Sequence, residues 1–127
     1  MSPLERARGA IGAKFRLHGR TLEDGLDCVG LAALAYAARV PRGYALRSGD
    51  VAQVIAGMAT VGLVPVRDSR AGDLLLFRAG PGQLHLGIDG GGSVIHADAS
   101  LRRVVERPGV PPWIEIGRWR RPEAMED

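Results

Sequence analysis

The chain has 127 residues, of which 46% are hydrophobic and 24% charged; this length suits one domain with a core, and the composition excludes an intrinsically disordered chain. The net charge is +3, but the basic residues are scattered and aromatic residues are few, a pattern that does not favour nucleic-acid binding. No apolar run reaches the ~20 residues of a membrane-spanning helix, and residues 1–12 lack the apolar run of a secretory signal.

The first half of the chain is predicted to be helical. Three helices are expected, over residues 3–13, 27–40 and 50–60. Ser2 and Pro3 suit the cap and the first position of the first helix, and Ser48 or Asp50 is the expected cap of the third. The second helix is apolar on nearly every face, which is typical of a buried helix.

The second half of the chain is predicted to be an antiparallel meander. Five short strands are expected, over residues 73–78, 84–89, 93–98, 102–106 and 113–118, with glycine- or proline-rich turns between them. Helices followed by such a meander indicate an α+β fold. We expect a single domain over residues 1–127, with a disordered tail at residues 122–127.

Two histidines lie in consecutive predicted strands, LHLGID and SVIHAD. A two-residue turn at Gly90–Gly91 places His85 directly opposite His96, on one face of the sheet. A lone histidine on a strand is more often structural than catalytic. With Asp89 and Asp98 nearby, the pair could also begin a metal site, although no third and fourth ligand is evident.

The only cysteine, Cys28, lies at the start of the second predicted helix. Backbone N–H groups and the helix dipole lower the pKa of a thiol there, whereas a free cysteine is also a common buried apolar residue. Together with two adjacent histidines, however, a cysteine at a helix start forms the arrangement of a thiol hydrolase. In such an enzyme a base takes the thiol proton, and a third group orients the base.

The segment DCVGLAALAY, at residues 27–36, resembles the DCSGL-type segment of the NlpC/P60 family of cell-wall cysteine peptidases. AGDLLLFR, LHLGIDGGGSVIHA and RRVVE are similar to later blocks of that family, in the same order, and the resemblance extends over residues 12–121. It implies a papain-like α+β fold, with N-terminal helices packed on an antiparallel sheet or half-barrel of about five strands.

The resemblance also implies a reaction. The family hydrolyses peptide bonds in peptidoglycan stem peptides, often between D-glutamate and a diamino acid, and no cofactor or metal is expected. Residue by residue, it implies that Cys28 is the nucleophile, His85 the general base and His96 the group that orients the base. A thioester acyl-enzyme would form and be hydrolysed by water, with the backbone N–H of Cys28 as an oxyanion donor.

Three further residues, Asp27, His18 and Phe15, are predicted to contact the substrate. Asp27 resembles the acid that precedes the nucleophile, where it holds a substrate amine or caps the helix. Phe15 stands where many members have tyrosine, and Val29 where many have serine; His18 either supplies the missing polar group or is a loop residue. These departures leave two alternatives open, a different thiol enzyme such as an amidase or acyltransferase, and a weakened structural module.

Trp113 and Trp119 are expected to seal the core or a sheet edge.

Without a recognisable export signal or wall-binding module, the chain is similar to the peptidases of phage tails and gene transfer agents. The resemblance therefore implies synthesis in the cytoplasm, assembly with phage-like tail proteins, and action on the cell wall in the periplasm.

Overall fold

The computed structural model describes residues 1–40 and 50–122. Within these ranges the helices are α1 (Pro3–Gly9), α2 (Cys28–Ala35) and α3 (Val51–Thr60). The strands are β1 (Arg20–Thr21), β2 (Gly25–Leu26), β3 (Val64–Val66), β4 (Leu74–Gly80), β5 (Gln83–Asp89), β6 (Ser93–Asp98), β7 (Arg103–Pro108) and β8 (Ile114–Arg120). The predicted α+β class is confirmed. Of the predicted tail, all but Pro122 lies outside the described residues.

Helix α1 begins with a capping box. The Ser2 hydroxyl accepts the backbone N–H of Glu5 at 3.1 Å, and the Glu5 carboxylate accepts the backbone N–H of Ser2 at 2.8 Å, an arrangement worth about 1 kcal/mol of helix stability. The helix ends before the predicted boundary at residue 13. Gly12 takes a φ of +92° and donates its N–H to the Val104 carbonyl, so the chain leaves the helix to run beside β7.

Helix α2 is buried, as its composition predicts, but it is shorter than the predicted range of residues 27–40. Its buried side chains include Val29, Leu31 and Ala35. The helix stops because Ala37 adopts a left-handed conformation with φ +51°, while the next N–H reaches back to the Ala33 carbonyl, a pattern that satisfies the last carbonyls of a helix.

Helix α3 matches its predicted range closely. The Asp50 carboxylate accepts the backbone N–H of Gln53 at 3.1 Å, so Asp50 is the N-cap. Ser48, the other predicted cap, lies outside the described residues. Gly62 follows the helix with a φ of +84°, which a glycine adopts without strain.

The main sheet has six antiparallel strands in the order β3-β8-β4-β5-β6-β7. The five predicted strands correspond to β4 to β8. Strand β3 was not predicted, because it has three residues with Pro65 at its centre, and proline is tolerated only at a sheet edge. Strands β1 and β2 form a separate two-stranded pair. In the described part of the chain, no helix is long and apolar enough to cross a membrane.

The two faces of the sheet bury different clusters. Helices α1 and α2 lie against the face that holds Leu86, Ile88 and Ile95. The opposite face holds a smaller cluster of Leu75, Phe77 and Val94, with Trp113 packed against it. Because side chains alternate along a strand, His85 lies on the face of this smaller cluster, and Phe77 is its direct neighbour on β4.

A buried ion cluster joins β8 to the start of β4 and the end of β5. Asp73 is 1% exposed and accepts from Arg118 at 2.8 Å and from Arg120 at 2.6 and 2.9 Å. Burial raises the pKa of the Asp73 carboxyl, but the two guanidinium groups offset this and hold the pKa below its ordinary value. These two arginines therefore stabilise the sheet, and they are not part of a free basic surface.

Candidate active site

The turn between β5 and β6 lies one residue later than predicted. Gly90 donates its N–H to the Ser93 carbonyl at 2.9 Å, so the two turn residues are Gly91 and Gly92, with φ of +81° and +136°. The Asp89 carboxylate accepts the Gly91 N–H at 2.7 Å, which fixes the start of the turn. Such positive φ angles at both central residues require glycine or a similarly permissive residue.

This turn changes the register of the two histidines. Ile88 pairs with Ile95, and Asp89 pairs with Val94, so the prediction that His85 lies directly opposite His96 is wrong by two positions. A shift of two keeps both side chains on the same face, because the side-chain period of a strand is two residues. The histidines are therefore diagonal neighbours.

The two imidazoles nevertheless form a direct contact. Nε2 of His85 lies 3.0 Å from Nδ1 of His96, which is a hydrogen-bond distance, and the ring planes are nearly perpendicular at 86°. The backbone ladder of β5 with β6 is confined to the two pairs next to the turn. The histidine rings lie beyond the end of this ladder.

Trp113 completes a group of three rings in edge-to-face contact. Its centroid is 4.9 Å from that of His85, at 72°, and 4.9 Å from that of His96, at 81°. The indole also contacts Phe77, with the ring centroids 5.3 Å apart. Trp119, in contrast, is a core residue, 5% exposed. The sequence predicted a sealing role for both tryptophans but gave no indication that Trp113 contacts the histidines.

One cleft of about 550 Å³ contains all six predicted site residues. They are Phe15, His18, Asp27, Cys28, His85 and His96. The cleft is also lined by Trp113 and Ser100, which the sequence did not single out as site residues, and by Asp98, which it considered only as a metal ligand. In residues 1–40 and 50–122, no group of three or more His, Cys, Asp or Glu side chains is placed to hold a metal ion.

Cys28 is the first residue of α2, as predicted, but its thiol is not activated by its surroundings. The pKa of the Cys28 thiol is raised to about 12, mainly by burial and to a smaller extent by the neighbouring Asp27 carboxylate. Hydrogen bonds from the backbone N–H groups of Leu86, Cys28 and Val29 act in the opposite direction but are outweighed. The predicted lowering of this pKa is therefore wrong, because desolvation exceeds the effect of the helix terminus.

The two histidines are neutral at physiological pH. The pKa of His85 is lowered to about 4, mainly by burial and to a smaller extent by His96, although the Asp98 carboxylate acts to raise it. Burial also lowers the pKa of His96. The Asp98 carboxylate acts to raise this pKa, and Arg107 acts to lower it. The cleft thus combines a protonated thiol with two uncharged imidazoles, and such an imidazole is free to accept a proton.

Asp27 caps α2, one of the two roles predicted for it. Its carboxylate accepts the backbone N–H of Gly30 at 2.8 Å and that of His18 at 2.7 Å, and it forms an ion pair with Arg20 at 2.8 Å. With 6% of its surface exposed, Asp27 is engaged by the protein itself. It orients the start of the helix that presents Cys28.

The other two predicted substrate residues lie on the segment before α2. His18 is held at a φ of +62°, and its backbone N–H is one of the two that the Asp27 carboxylate accepts. Phe15 donates its N–H to the Arg102 carbonyl at 2.9 Å and packs against the main core. Both residues line the cleft, and their contact with a substrate stays a prediction.

Comparisons with known proteins concern the family and the fold of the chain. The model of the NlpC/P60 family matches residues 12–115. No protein in a search of curated sequences matches the chain.

Several solved structures share the fold. The P60 domain of an antigen from Mycobacterium avium subspecies paratuberculosis is 25% identical, with a TM-score of 0.61 over 94% of this chain and 90% of that one. The peptidoglycan hydrolase RipB from Mycobacterium tuberculosis is 27% identical, with a TM-score of 0.59 over 93% of this chain and 62% of that one.

NlpC1 from Trichomonas vaginalis is 22% identical, with a TM-score of 0.67 over 94% of this chain. The present chain spans 44% of the length of NlpC1. The match of the family model over most of the sequence, on a fold shared with these structures, identifies the chain as a member of the NlpC/P60 family.

Proposed function

We propose that this protein is a cysteine peptidase that hydrolyses peptide bonds in peptidoglycan stem peptides. The observation that supports this most is the placement of Cys28, His85 and His96 around one cleft, with the two imidazoles hydrogen-bonded at 3.0 Å. Membership of the NlpC/P60 family supports the same reaction, as does the similarity to RipB, a peptidoglycan hydrolase.

In this proposal the thiol loses its proton only when it attacks. The resting pair is uncharged, since the pKa of Cys28 is raised and that of His85 is lowered. As the sulfur bonds to the substrate carbonyl carbon, His85 takes the thiol proton and becomes an imidazolium. His96 stabilises that imidazolium by accepting a hydrogen bond at Nδ1 from Nε2 of His85. This assignment leaves Nδ1 of His85 to exchange protons with the thiol.

The remaining steps return the enzyme to its starting state. His85 gives its proton to the leaving amine as the C–N bond breaks, which leaves a thioester on Cys28. Water then attacks the thioester, with His85 as the base, and the thiol is regenerated with its proton. The tetrahedral oxyanion of each step is placed at the start of α2, where the backbone N–H of Cys28 has no carbonyl acceptor within the helix.

We propose that the bond cleaved joins D-glutamate to a diamino acid, and that His18 and Phe15 contact the stem peptide. Both residues line the same cleft as Cys28. Delivery by phage-like tail proteins, followed by action at the cell wall in the periplasm, is also part of the proposal. This route of delivery and this location are supported by the sequence resemblance alone.

Digestion of defined muropeptides, followed by mass spectrometry of the products, tests the proposed reaction. The protein should release two fragments from a stem peptide cut after D-glutamate, and Cys28→Ala should lower the rate about 1,000-fold or more. Cys28→Ser is the matched control for the change in side-chain shape, since serine retains the shape of the cysteine side chain. Cleavage by Cys28→Ala at the rate of the unmodified protein would exclude the mechanism. No cleavage by a folded wild-type protein would favour the structural module.

A further inference from the structure

Trp113 touches both proposed catalytic imidazoles but has no role in the reaction described above. Its indole lies 4.9 Å from each histidine ring, centroid to centroid. It is partly exposed and lines the cleft that contains Cys28. The indole therefore contacts both histidine rings and is itself partly open to the cleft.

The chain holds this tryptophan at a defined position. Pro111 and Pro112 precede it and restrict the backbone of the connection. Further back in the same loop, Gly109 takes a φ of +80° and donates its N–H to the Gly92 carbonyl at 2.9 Å. The loop is thus tied to the turn that sets the register of the two histidine strands.

A bulge in β8 also determines where Trp113 lies. On β4, Leu76 pairs with Gly117 and Phe77 pairs with Glu115, so Ile116 is an extra residue on β8. A bulge of this kind bends a strand and redirects the side chains that flank it, and bulges are common beside active sites. Here it accompanies the contact between the Trp113 indole and Phe77, on the face that holds the histidines.

The two imidazoles need such a support. The terminal torsion of a histidine side chain has broad, roughly two-fold minima, so a ring flip that exchanges nitrogen for carbon costs little by itself. A flip of either ring would break the contact between Nε2 of His85 and Nδ1 of His96. An indole packed against both rings at 72° and 81° opposes these flips and covers part of each ring.

We propose that Trp113 is a positioning residue, which fixes the ring orientations of His85 and His96 so that one imidazole nitrogen of His85 remains available to the Cys28 thiol. This inference rests on the proposed cysteine-peptidase function. It assigns to Trp113 no contact with the reacting atoms, and its effect passes through the two histidines.

Loss of the Trp113 indole should also change the pKa values of the His85 and His96 imidazoles. Burial lowers the pKa of both histidines, and the indole is part of what buries them, so water admitted in its place raises both pKa values towards the ordinary range. The charged or titratable groups that face the rings across the cleft and from the neighbouring strands are Cys28, His18, Asp27, Asp98 and Arg107. All of these remain in a Trp113 variant.

The kinetic test compares Trp113→Ala and Trp113→Phe with Val110→Ala, a change in the same loop at a side chain that is 92% exposed. Trp113→Ala should lower kcat for a muropeptide about 100-fold, change KM much less, and move the acid limb of the pH profile upward. Trp113→Phe should recover part of kcat, and Val110→Ala should match the unmodified protein. Equal kcat values and equal acid limbs in all four proteins would overturn the proposal.

Imidazole NMR of isotopically labelled protein tests the same claim without any substrate. His85 and His96 should each show one tautomer in the unmodified protein. In Trp113→Ala their signals should average between tautomers and titrate at higher pH, and Trp113→Leu replaces this variant if it does not fold. Unchanged histidine spectra in a folded variant would overturn the positioning role. If the spectra change in Trp113→Ala but the unmodified protein cleaves no muropeptide, the positioning role of Trp113 is supported and the proposed peptidase function fails.

Discussion

His85 and His96 form a hydrogen bond of 3.0 Å between Nε2 and Nδ1 although they are not opposite each other on β5 and β6. The hairpin register runs through Ile88 with Ile95 and Asp89 with Val94, which leaves the histidines diagonal on one face. Diagonal neighbours are within reach of long or aromatic side chains. The strand ladder ends before the two rings, and Trp113 packs against them from the cleft side.

The role of His96 can be tested with two substitutions. His96→Ala removes the acceptor for Nε2 of His85, so the base loses its orientation, and kcat should fall about 100-fold or more. His96→Asn places an amide oxygen near the former Nδ1 and should retain more activity than the alanine variant. Steady-state muropeptide kinetics measure both. Equal activity of the two variants would show that an acceptor at this position is unimportant.

The pH profile should respond to Asp98. Its carboxylate raises the pKa of both histidines against the effect of burial, so Asp98→Asn should lower both values. Because His85 must be neutral to act as a base, the acid limb of kcat/KM should lie near pH 4 in the unmodified protein and move down by roughly half a pH unit in the variant. Asparagine retains an acceptor for the Leu101 N–H, which Asp98 accepts at 2.9 Å.

Glu23→Gln is the control for this shift, since Glu23 is exposed and does not line the cleft. It should leave the acid limb in place. An upward movement of the limb in Asp98→Asn, or equal movements in both variants, would contradict the assigned influence of Asp98.

The protonation state of Cys28 should be visible in an ultraviolet titration of the thiolate. Burial raises the pKa of this thiol to about 12, so the difference between the unmodified protein and Cys28→Ala should show no thiolate at neutral pH. The signal should appear only in strongly alkaline solution. A thiolate signal at neutral pH that is lost in His85→Ala would instead establish a preformed ion pair.

The Asp73 cluster should contribute strongly to stability. Asp73→Ala leaves Arg118 and Arg120 without their buried acceptor, and removal of one partner of a buried ion pair costs about 3 kcal/mol or more of unfolding free energy. Urea unfolding measures this loss. Asp68→Asn is the control, because Asp68 is 68% exposed in its pair with Arg120 and should change the free energy by less than about 1 kcal/mol. Equal losses in the two variants would contradict the assignment.

The elements that could be predicted from the sequence have local causes. Asp50 caps the start of α3, and Gly62, in a left-handed conformation, follows the end of that helix. Turn residues bound each of the five strands β4 to β8. In contrast, the early end of α2 depends on a left-handed alanine, Ala37, which has no sequence signal. Strand β3 was missed because a proline within a three-residue segment gives no strand signal, and its pairing with β8 spans a long sequence separation.

The residues that line the cleft could be predicted more fully than their geometry. Three consecutive glycines, Gly90 to Gly92, can each take a positive φ, so their identity alone does not determine which two form the turn. The position of the turn depends on Asp89, whose carboxylate accepts the Gly91 N–H on one oxygen and Arg118 on the other. Likewise, the contact of Trp113 with the histidines depends on the bulge in β8.

Hydrolysis of a defined stem peptide in water enriched in the heavy oxygen isotope tests the central claim most directly. The unmodified protein should release an acyl fragment whose new carboxylate contains one heavy oxygen, because water breaks the thioester on Cys28. Cys28→Ala should release none at a comparable rate. An acyl fragment joined to an added amine, without heavy oxygen, would indicate an acyltransferase, and labelled product from Cys28→Ala would contradict the role of Cys28.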